Sequence, residues 1–385
     1  MPWKASSVMD QRIEFVVRAS DAGANVSSLC QEYGISRPTG YRWLRRYQQT
    51  NSLQGLGELS RRPRRSPRQT GSEIESEVVA LRLAFDWGGK KIQRIMADRG
   101  FVVSTSTVNR IIKRNGLIRT RLSHQKAARR FEREQPNQLW QMDFKGDYLI
   151  EQGKCYPLSI LDDHSRFVVG LFALSNQLGR SVKSCLISTF ERYGVPEAIL
   201  TDHGIPWWGN ANGHGLTRLS VSLIRQGIQL YFSGFCHPQT QGKVERFHRT
   251  LKHAMWYRGE PKSLPAFAEA LSDFRKEYNY LRPHESLEMV VPAHRYQPSS
   301  KTYDPSPPDW EYPEQAIVRR LNTQGCLDYQ NHRYFVCEAL AGENVQIEHI
   351  DHKLAVRYRH MYVRELDQNT GRSVSLLKPA PEPKV

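Results

Sequence analysis

No run of about 18 apolar residues occurs in the 385-residue sequence, so no membrane-spanning helix is expected. The first residues lack the apolar core of a secretion signal. Cysteine is scarce: six residues, at 30, 155, 185, 236, 326 and 337, none in a CxxC pair. That spacing argues against a disulfide framework or a structural zinc site, and fits a reducing, cytoplasmic compartment. Histidine is missing from the first 123 residues. A G-x-x-x-x-G-K-[ST] loop is also missing, which removes the usual signature of ATP or GTP use. Acid is short as well, with 39 Asp and Glu against 55 Lys and Arg, a net charge of +16. The shortage is local: residues 1–135 hold 12 acids against 26 bases, and residues 136–385 hold 27 against 29. So basic a front third predicts a polyanionic partner, DNA or RNA.

The front third reads as two helical modules. In residues 1–59, helices are expected over Val8–Ala19, over Ser27–Tyr33 and through RPTGYRWLRRYQQ, with Ser36 as cap and Pro38 in the first turn. A short helix, a glycine turn and a basic helix suit a helix-turn-helix, whose last helix enters the major groove. Arg42, Arg45 and Arg46 are its DNA-contact candidates. Residues 60–72 form a basic linker with arginines at 61, 62, 64, 65 and 68. Residues 73–117 repeat the pattern, with Ser104 capping STVNRIIKRNG and Val108, Ile111 and Ile112 as the buried stripe. That phase leaves Thr105, Ser106, Asn109, Arg110 and Lys113 outward, and we take Asn109, Arg110 and Lys113 as groove-facing. A second basic linker covers 118–136.

From 137 the pattern changes. Apolar runs at 138–150, 155–162 and 166–174 predict three strands, followed by alternating helices and strands up to 299: an α/β domain with a mixed sheet. A Pro-rich linker occupies 300–314. Residues 315–385 carry short alternating runs between turn signals, which predicts a small antiparallel β-barrel and tail. The basic–aromatic run RYRHMYVREL in that region is read as the ordinary polar face of the barrel rather than a DNA contact.

Three carboxylates in the α/β domain have settings that suit one site. Asp143 lies inside LWQMDFKGDYLI, Asp202 ends AILTDHG, and Glu245 starts a basic helix in GKVERFHRTLKHA. A carboxylate in a strand, one at a strand end and one on a helix can meet in space and hold two divalent ions for phosphodiester chemistry. Asp162 and Asp163, in DDHSR between two strands, are their rivals as ligands and are read as shaping a hairpin turn. On the basic helix Glu245, Arg249 and Lys252 share one face. Lys243, Arg249 and Lys252 are further DNA-contact candidates.

WQMDF, ILTDHG, HPQTQGKVERFHRTLK and YNYLRPHESLEMVVPAHRY resemble the integrase-type core of DDE insertion-sequence transposases, relatives of retroviral integrases. The resemblance covers 137–299. It implies a multidomain chain: N-terminal all-α helix-turn-helix domains, a central RNase H-like α/β core and a C-terminal small β-barrel. It implies Asp143, Asp202 and Glu245 as the catalytic triad, and Lys252 as a contact near the scissile phosphate. The sequence departs from retroviral integrases in lacking their histidine–cysteine zinc domain and in a longer stretch after Asp202, which includes PWWGNANGHGL.

The expected reaction cuts element ends and joins the 3′-hydroxyls to target DNA. Two Mg²⁺ ions, roughly 3.5–4 Å apart, would serve it, with Mn²⁺ as a substitute. Asp143 would bridge both ions. The expected partners are double-stranded DNA, as element ends and target, and further copies of the chain, at least a dimer on DNA. Bacterial cytoplasm, on the nucleoid, is the expected location. Two alternatives remain open here: an RNase H-like nuclease without strand transfer, and a transposase-derived DNA-binding regulator with a silent core.

Overall fold

The computed structural model describes residues 7–59, 70–119, 132–209, 215–233 and 242–377. The linker arginines at 61–68, the middle of the insertion after Asp202 and the GFCHPQTQ loop lie outside the described residues. The chain divides into two units, Met1–Thr70 and Gly71–Val385.

The first unit is built by capping. Helix α1 (Val8–Ala19) opens on a reciprocal pair: the Asp10 N–H donates to Ser7 Oγ at 3.1 Å, and the Ser7 N–H to Asp10 Oδ2 at 2.9 Å. Asn25 caps α2 (Val26–Glu32) and Ser36 caps α3 (Arg37–Thr50), with Pro38 in the first turn. Phe15, Val16, Leu29, Cys30, Trp43, Leu44 and Leu56 close the core. Gly40 makes that closure possible, because a Cβ there would lie 2.4 Å from Cys30 Sγ.

In the second unit, α4 (Ser72–Phe85), α5 (Gly89–Asp98) and α6 (Thr105–Arg114) form another three-helix module. Ser104 caps α6, and Val108, Ile111 and Ile112 face inward as their spacing predicts. The module rests on the α/β core. Tyr257 Oη donates to the Leu83 carbonyl at 2.6 Å, Lys91 Nζ to the Pro283 carbonyl at 2.8 Å, and His253 Nε2 lies 3.1 Å from Asp86.

The core starts with β1 (Trp140–Phe144), β2 (Tyr148–Ile150), β3 (Gly153–Asp162) and β4 (Val168–Leu174). The apolar run 138–150, expected as one strand, is two: Gly146, at φ 96°, breaks it between β1 and β2. Then follow α7 (Gly179–Tyr193), β5 (Ala198–Thr201), the two-residue strands β6 (Trp208–Gly209) and β7 (Gly215–Leu216), α8 (Arg218–Arg225) and β8 (Gln229–Phe232). Helices α9 (Gly242–Arg258) and α10 (Leu264–Tyr280) end the domain. Strand β3 carries β4 on one side and β1 and β2 on the other, all antiparallel; β5 and β8 extend the sheet from β1 in parallel. This is a mixed sheet. One face packs on α7 and α8 through Trp140, Leu158, Val182, Leu186 and Ile224, the other on α9 and α10 through Leu161, Phe247, Leu251 and Phe274. Full burial of each such side chain stabilises the fold by about 1.5–3 kcal/mol.

The C-terminal region departs from the expected barrel. Strands β9 (Ile317–Arg320), β12 (Asn344–Ile350), β13 (Lys353–Tyr358), β14 (Met361–Asp367) and β15 (Ser373–Ser375) form an open sheet in the order β15-β14-β13-β12-β9. Strands β10 (Cys326–Tyr329) and β11 (His332–Phe335) pair only with each other among the described residues. Closure is unnecessary because the apolar face is covered from outside: Leu354, Val356 and Tyr358 share one continuous core with Leu216 and Ile224. RYRHMYVREL is not simply a polar outer face: Arg359 and Arg364 are buried, with Arg359 Nη1 donating to the Arg225 carbonyl at 3.1 Å and Arg364 Nε to the Val336 carbonyl at 2.8 Å.

Candidate active site

Strand pairing brings two of the three carboxylates near each other. In the parallel pair β1/β5, Trp140 lies opposite Ile199 and Gln141 opposite Leu200. The pairing ends there, with Asp143 two residues further along β1 and Asp202 just past the end of β5, near enough for the charge of Asp202 to act on Asp143. Helix α9 supplies the third from beside β1. Val244 N–H donates to Gln141 Oε1 at 3.3 Å, and His248 Nδ1 lies 3.8 Å from Asp143 Oδ2.

The electrostatics report the same grouping. Burial, then the charge of Asp202 and that of Glu245, push the Asp143 carboxyl up to about 7; the Phe144 N–H and Lys145 act in the opposite direction. Burial holds His248 at about 3, so it is a neutral ring whose Nε2 pairs with Ser159 Oγ at 3.0 Å. Asp202 is not turned fully toward its neighbours, because its Oδ1 accepts the Trp207 indole N–H at 2.5 Å and the Gly204 N–H at 3.0 Å. Among the described residues, no three His, Cys, Asp or Glu side chains already stand close enough to hold a metal ion. The donor set nevertheless suits a hard divalent cation: carboxylate oxygens only, neighbouring, and held at a cost in mutual repulsion that a cation would remove.

The remaining candidates divide. Glu245, Arg249 and Lys252 are exposed, as their common face on α9 predicts. Lys252 faces a basic neighbour that the sequence reading passed over. The Lys145 ammonium is held below its usual range by burial and then by the charge of Lys252. Lys145 thus acts on Asp143 and has Lys252 as a like-charged neighbour. The signal for Lys145 was its place two residues after Asp143. Lys243 has an inward partner: its ammonium lies 2.6 Å from the fully buried Asp163, and burial holds it at about 8. On α3, Arg46 is half-buried and its Nη2 donates to the Gly57 carbonyl at 2.6 Å, while Arg42 and Arg45 are exposed. On α6, Asn109, Arg110 and Lys113 are exposed.

The rivals Asp162 and Asp163 are both fully buried, with their carboxylates engaged by protein donors. Asp162 organises the turn before β4: its Oδ1 accepts from Ser165 N–H at 2.8 Å and Ser165 Oγ at 2.5 Å, and its Oδ2 from Asn137 N–H at 2.7 Å.

The Integrase core domain family matches residues 133–238 and again 226–292. Homeodomain-like families match 6–57 and 39–112, over the two helical modules. These matches, and the relatives that follow, support a likeness to insertion-sequence transposases with a retroviral-integrase-type core. It is similar to the uncharacterized 31.7 kDa protein of insertion element IS407 from Burkholderia multivorans, 24% identical over 239 residues, which span 57% of this chain and 80% of that protein. It is also similar to the transposase of transposon Tn552 from Staphylococcus aureus, 25% identical over 259 residues, 59% of this chain and 52% of that one. The chain thus spans about half the length of the Tn552 protein. The HTLV-2 integrase catalytic core, solved in complex with magnesium, aligns with 42% of this chain and 97% of its own at 18% identity and a TM-score of 0.34. Among the described residues, no helix is long and apolar enough to cross a membrane.

Proposed function

We propose that this chain binds the ends of an insertion sequence, cuts them by metal-dependent phosphodiester hydrolysis and joins the freed 3′-hydroxyls to target DNA. The observation that carries the reading is Asp143: a carboxyl near the end of the central strand β1, raised to about 7 by burial and by two further carboxylates, Asp202 just after β5 and Glu245 on α9. Asp143, Asp202 and Glu245 would hold Mg²⁺, or Mn²⁺ in its place. When bound, two such ions offset the phosphate charge and lower the pKa of an attacking water. The chain's own cations have a separate part. Lys145 and Lys252 draw the phosphate backbone to the carboxylates, and Arg249 extends that track along α9. Both helical modules read sequence, through Arg42 and Arg45 on α3 and through Asn109, Arg110 and Lys113 on α6. One active site cuts one strand at a time, so two ends call for at least two copies of the chain on the DNA.

The deciding assay uses purified protein, Mg²⁺, labelled element-end DNA and a plasmid target. Joined products support the proposal. Cleavage without joining favours a nuclease, and binding without chemistry a regulator. Arg45→Ala should weaken end binding and reduce the slope of log K against log salt by roughly 1; an unchanged slope in a salt titration would remove Arg45 from the phosphate contacts.

Metal binding should also be proton-linked. Without metal, Asp143 keeps its proton up to about pH 7 rather than 3.8. Below that, a cation must displace the proton, so its affinity falls as pH drops, approaching about tenfold per pH unit, and levels off above it. Calorimetry with Mn²⁺ in two buffers of different ionisation heat should register close to one proton released at pH 6 and almost none at pH 8.5. Equal release at both values would refute the link.

A further inference from the structure

Asp163 sits on no surface, yet it ties together three distant parts of the chain. It follows β3 and is fully buried, and its own N–H donates to the Leu139 carbonyl at 2.9 Å. Its Oδ2 accepts the Arg133 N–H at 2.8 Å, which fixes the segment entering the core. The same oxygen lies 2.6 Å from Lys243 Nζ, which also donates to the Asp163 carbonyl at 3.1 Å. Its Oδ1 accepts Gln141 Nε2 at 2.8 Å, and Gln141 turns its own Oε1 to the Val244 N–H at 3.3 Å.

Two of these links end in the first turn of α9, on the residues immediately before Glu245. A helix's first N–H groups have no partner within the helix, so this end depends on outside acceptors to keep its place. Here the acceptor is Gln141, two residues before Asp143 on the same strand, held in its orientation by Asp163. Glu245 itself is exposed and makes none of these contacts. Its position relative to Asp143 is therefore set by its neighbours.

We infer that Asp163, acting through Lys243 and Gln141, is a positioning residue that holds the start of α9 so that Glu245 can share a cation with Asp143. The inference rests on the proposed metal site, and it gives Lys243 a different task from the DNA contact its sequence suggests. Outer groups of this kind orient metal ligands, and their loss typically weakens metal binding roughly 10–100-fold.

The test uses the full chain and two readouts that need no turnover: Mn²⁺ binding followed by electron paramagnetic resonance, and hydrogen exchange of the α9 amides. Asp163→Asn disturbs three links at once and risks unfolding, so Lys243→Met is the second variant, with Lys243→Arg as its conservative partner. In Lys243→Met we expect Mn²⁺ binding about tenfold weaker and faster exchange in the first turn of α9, with α10 unchanged. Lys243→Arg should restore most of both. A purely structural pair would lower the melting temperature while leaving the Mn²⁺ affinity of the folded protein and the contrast between α9 and α10 as in the wild type; that result would overturn the inference. If the wild type bound no Mn²⁺, the metal assignment would fail, and unchanged exchange at Val244–Phe247 in the same experiment would sink the clamp separately.

Discussion

Asp143→Asn is expected to lower both end cleavage and strand joining by about 10³-fold or more, while binding of element-end DNA stays within about twofold of the wild type. Loss of a carboxylate from the proposed metal site would remove roughly 4 kcal/mol of transition-state stabilisation, at about 1.36 kcal/mol per factor of ten. DNA binding is spared because the exposed basic side chains on α3 and α6 are untouched. The same change should stabilise the metal-free protein. The folded state raises the Asp143 carboxyl from 3.8 to about 7, so its ionised form is disfavoured relative to the unfolded chain. The penalty is absent below pH 3.8, grows as pH rises and is complete above about 7. Its ceiling is about 4 kcal/mol, and relaxation should leave about 1–2. In EDTA at pH 8, Asp143→Asn should therefore melt a few degrees higher than the wild type, and at pH 5 that advantage should shrink. A variant that kept cutting would end the proposed triad. One that lost activity and also lost stability at pH 8 would mean that Asp143 serves the fold.

Much of the architecture was legible because local rules decide it. Ser36 and Ser104 marked helix starts, and the spacing of Val108, Ile111 and Ile112 fixed which side of α6 is buried. The settings of Asp143 and Asp202 pointed to a strand interior and a strand end, and Asp143 lies within β1 while Asp202 directly follows β5, the parallel neighbour of β1. What stayed hidden depends on long-range partners. The position of Lys243 on α9 told nothing about Asp163, 80 residues earlier in the chain. Alternation gave the C-terminal strands but could not say whether the outermost ones meet, because that depends on α8 covering the sheet. Nor does any pattern in DHGIPWW announce that the Trp207 indole holds Asp202. Local sequence fixes which face of an element is apolar, and tertiary packing decides what that face meets.

Asp162→Leu should give the opposite profile to Asp143→Asn, which makes the pair a test of how the acids are divided. Asp162 is fully buried and accepts from three donors, two of them backbone N–H groups of Ser165 and Asn137. The Ser165 hydroxyl can rotate to another acceptor, whereas the two amides are fixed by the turn and by the entry to β1. Each buried donor left unpaired costs about 1–3 kcal/mol, so a loss of roughly 4 kcal/mol is expected, offset only slightly by removing a carboxyl that burial already pushes above its usual range. Urea unfolding should show a lower midpoint with an unchanged slope. The fraction that remains folded should bind Mn²⁺ with wild-type affinity, because the Asp162 carboxylate is engaged by Ser165 and Asn137. Unchanged stability together with lost metal binding would make Asp162 a ligand and displace one of the three acids. The two outcomes are separable because one group is buried with its hydrogen bonds satisfied, and the other is half-buried among like charges.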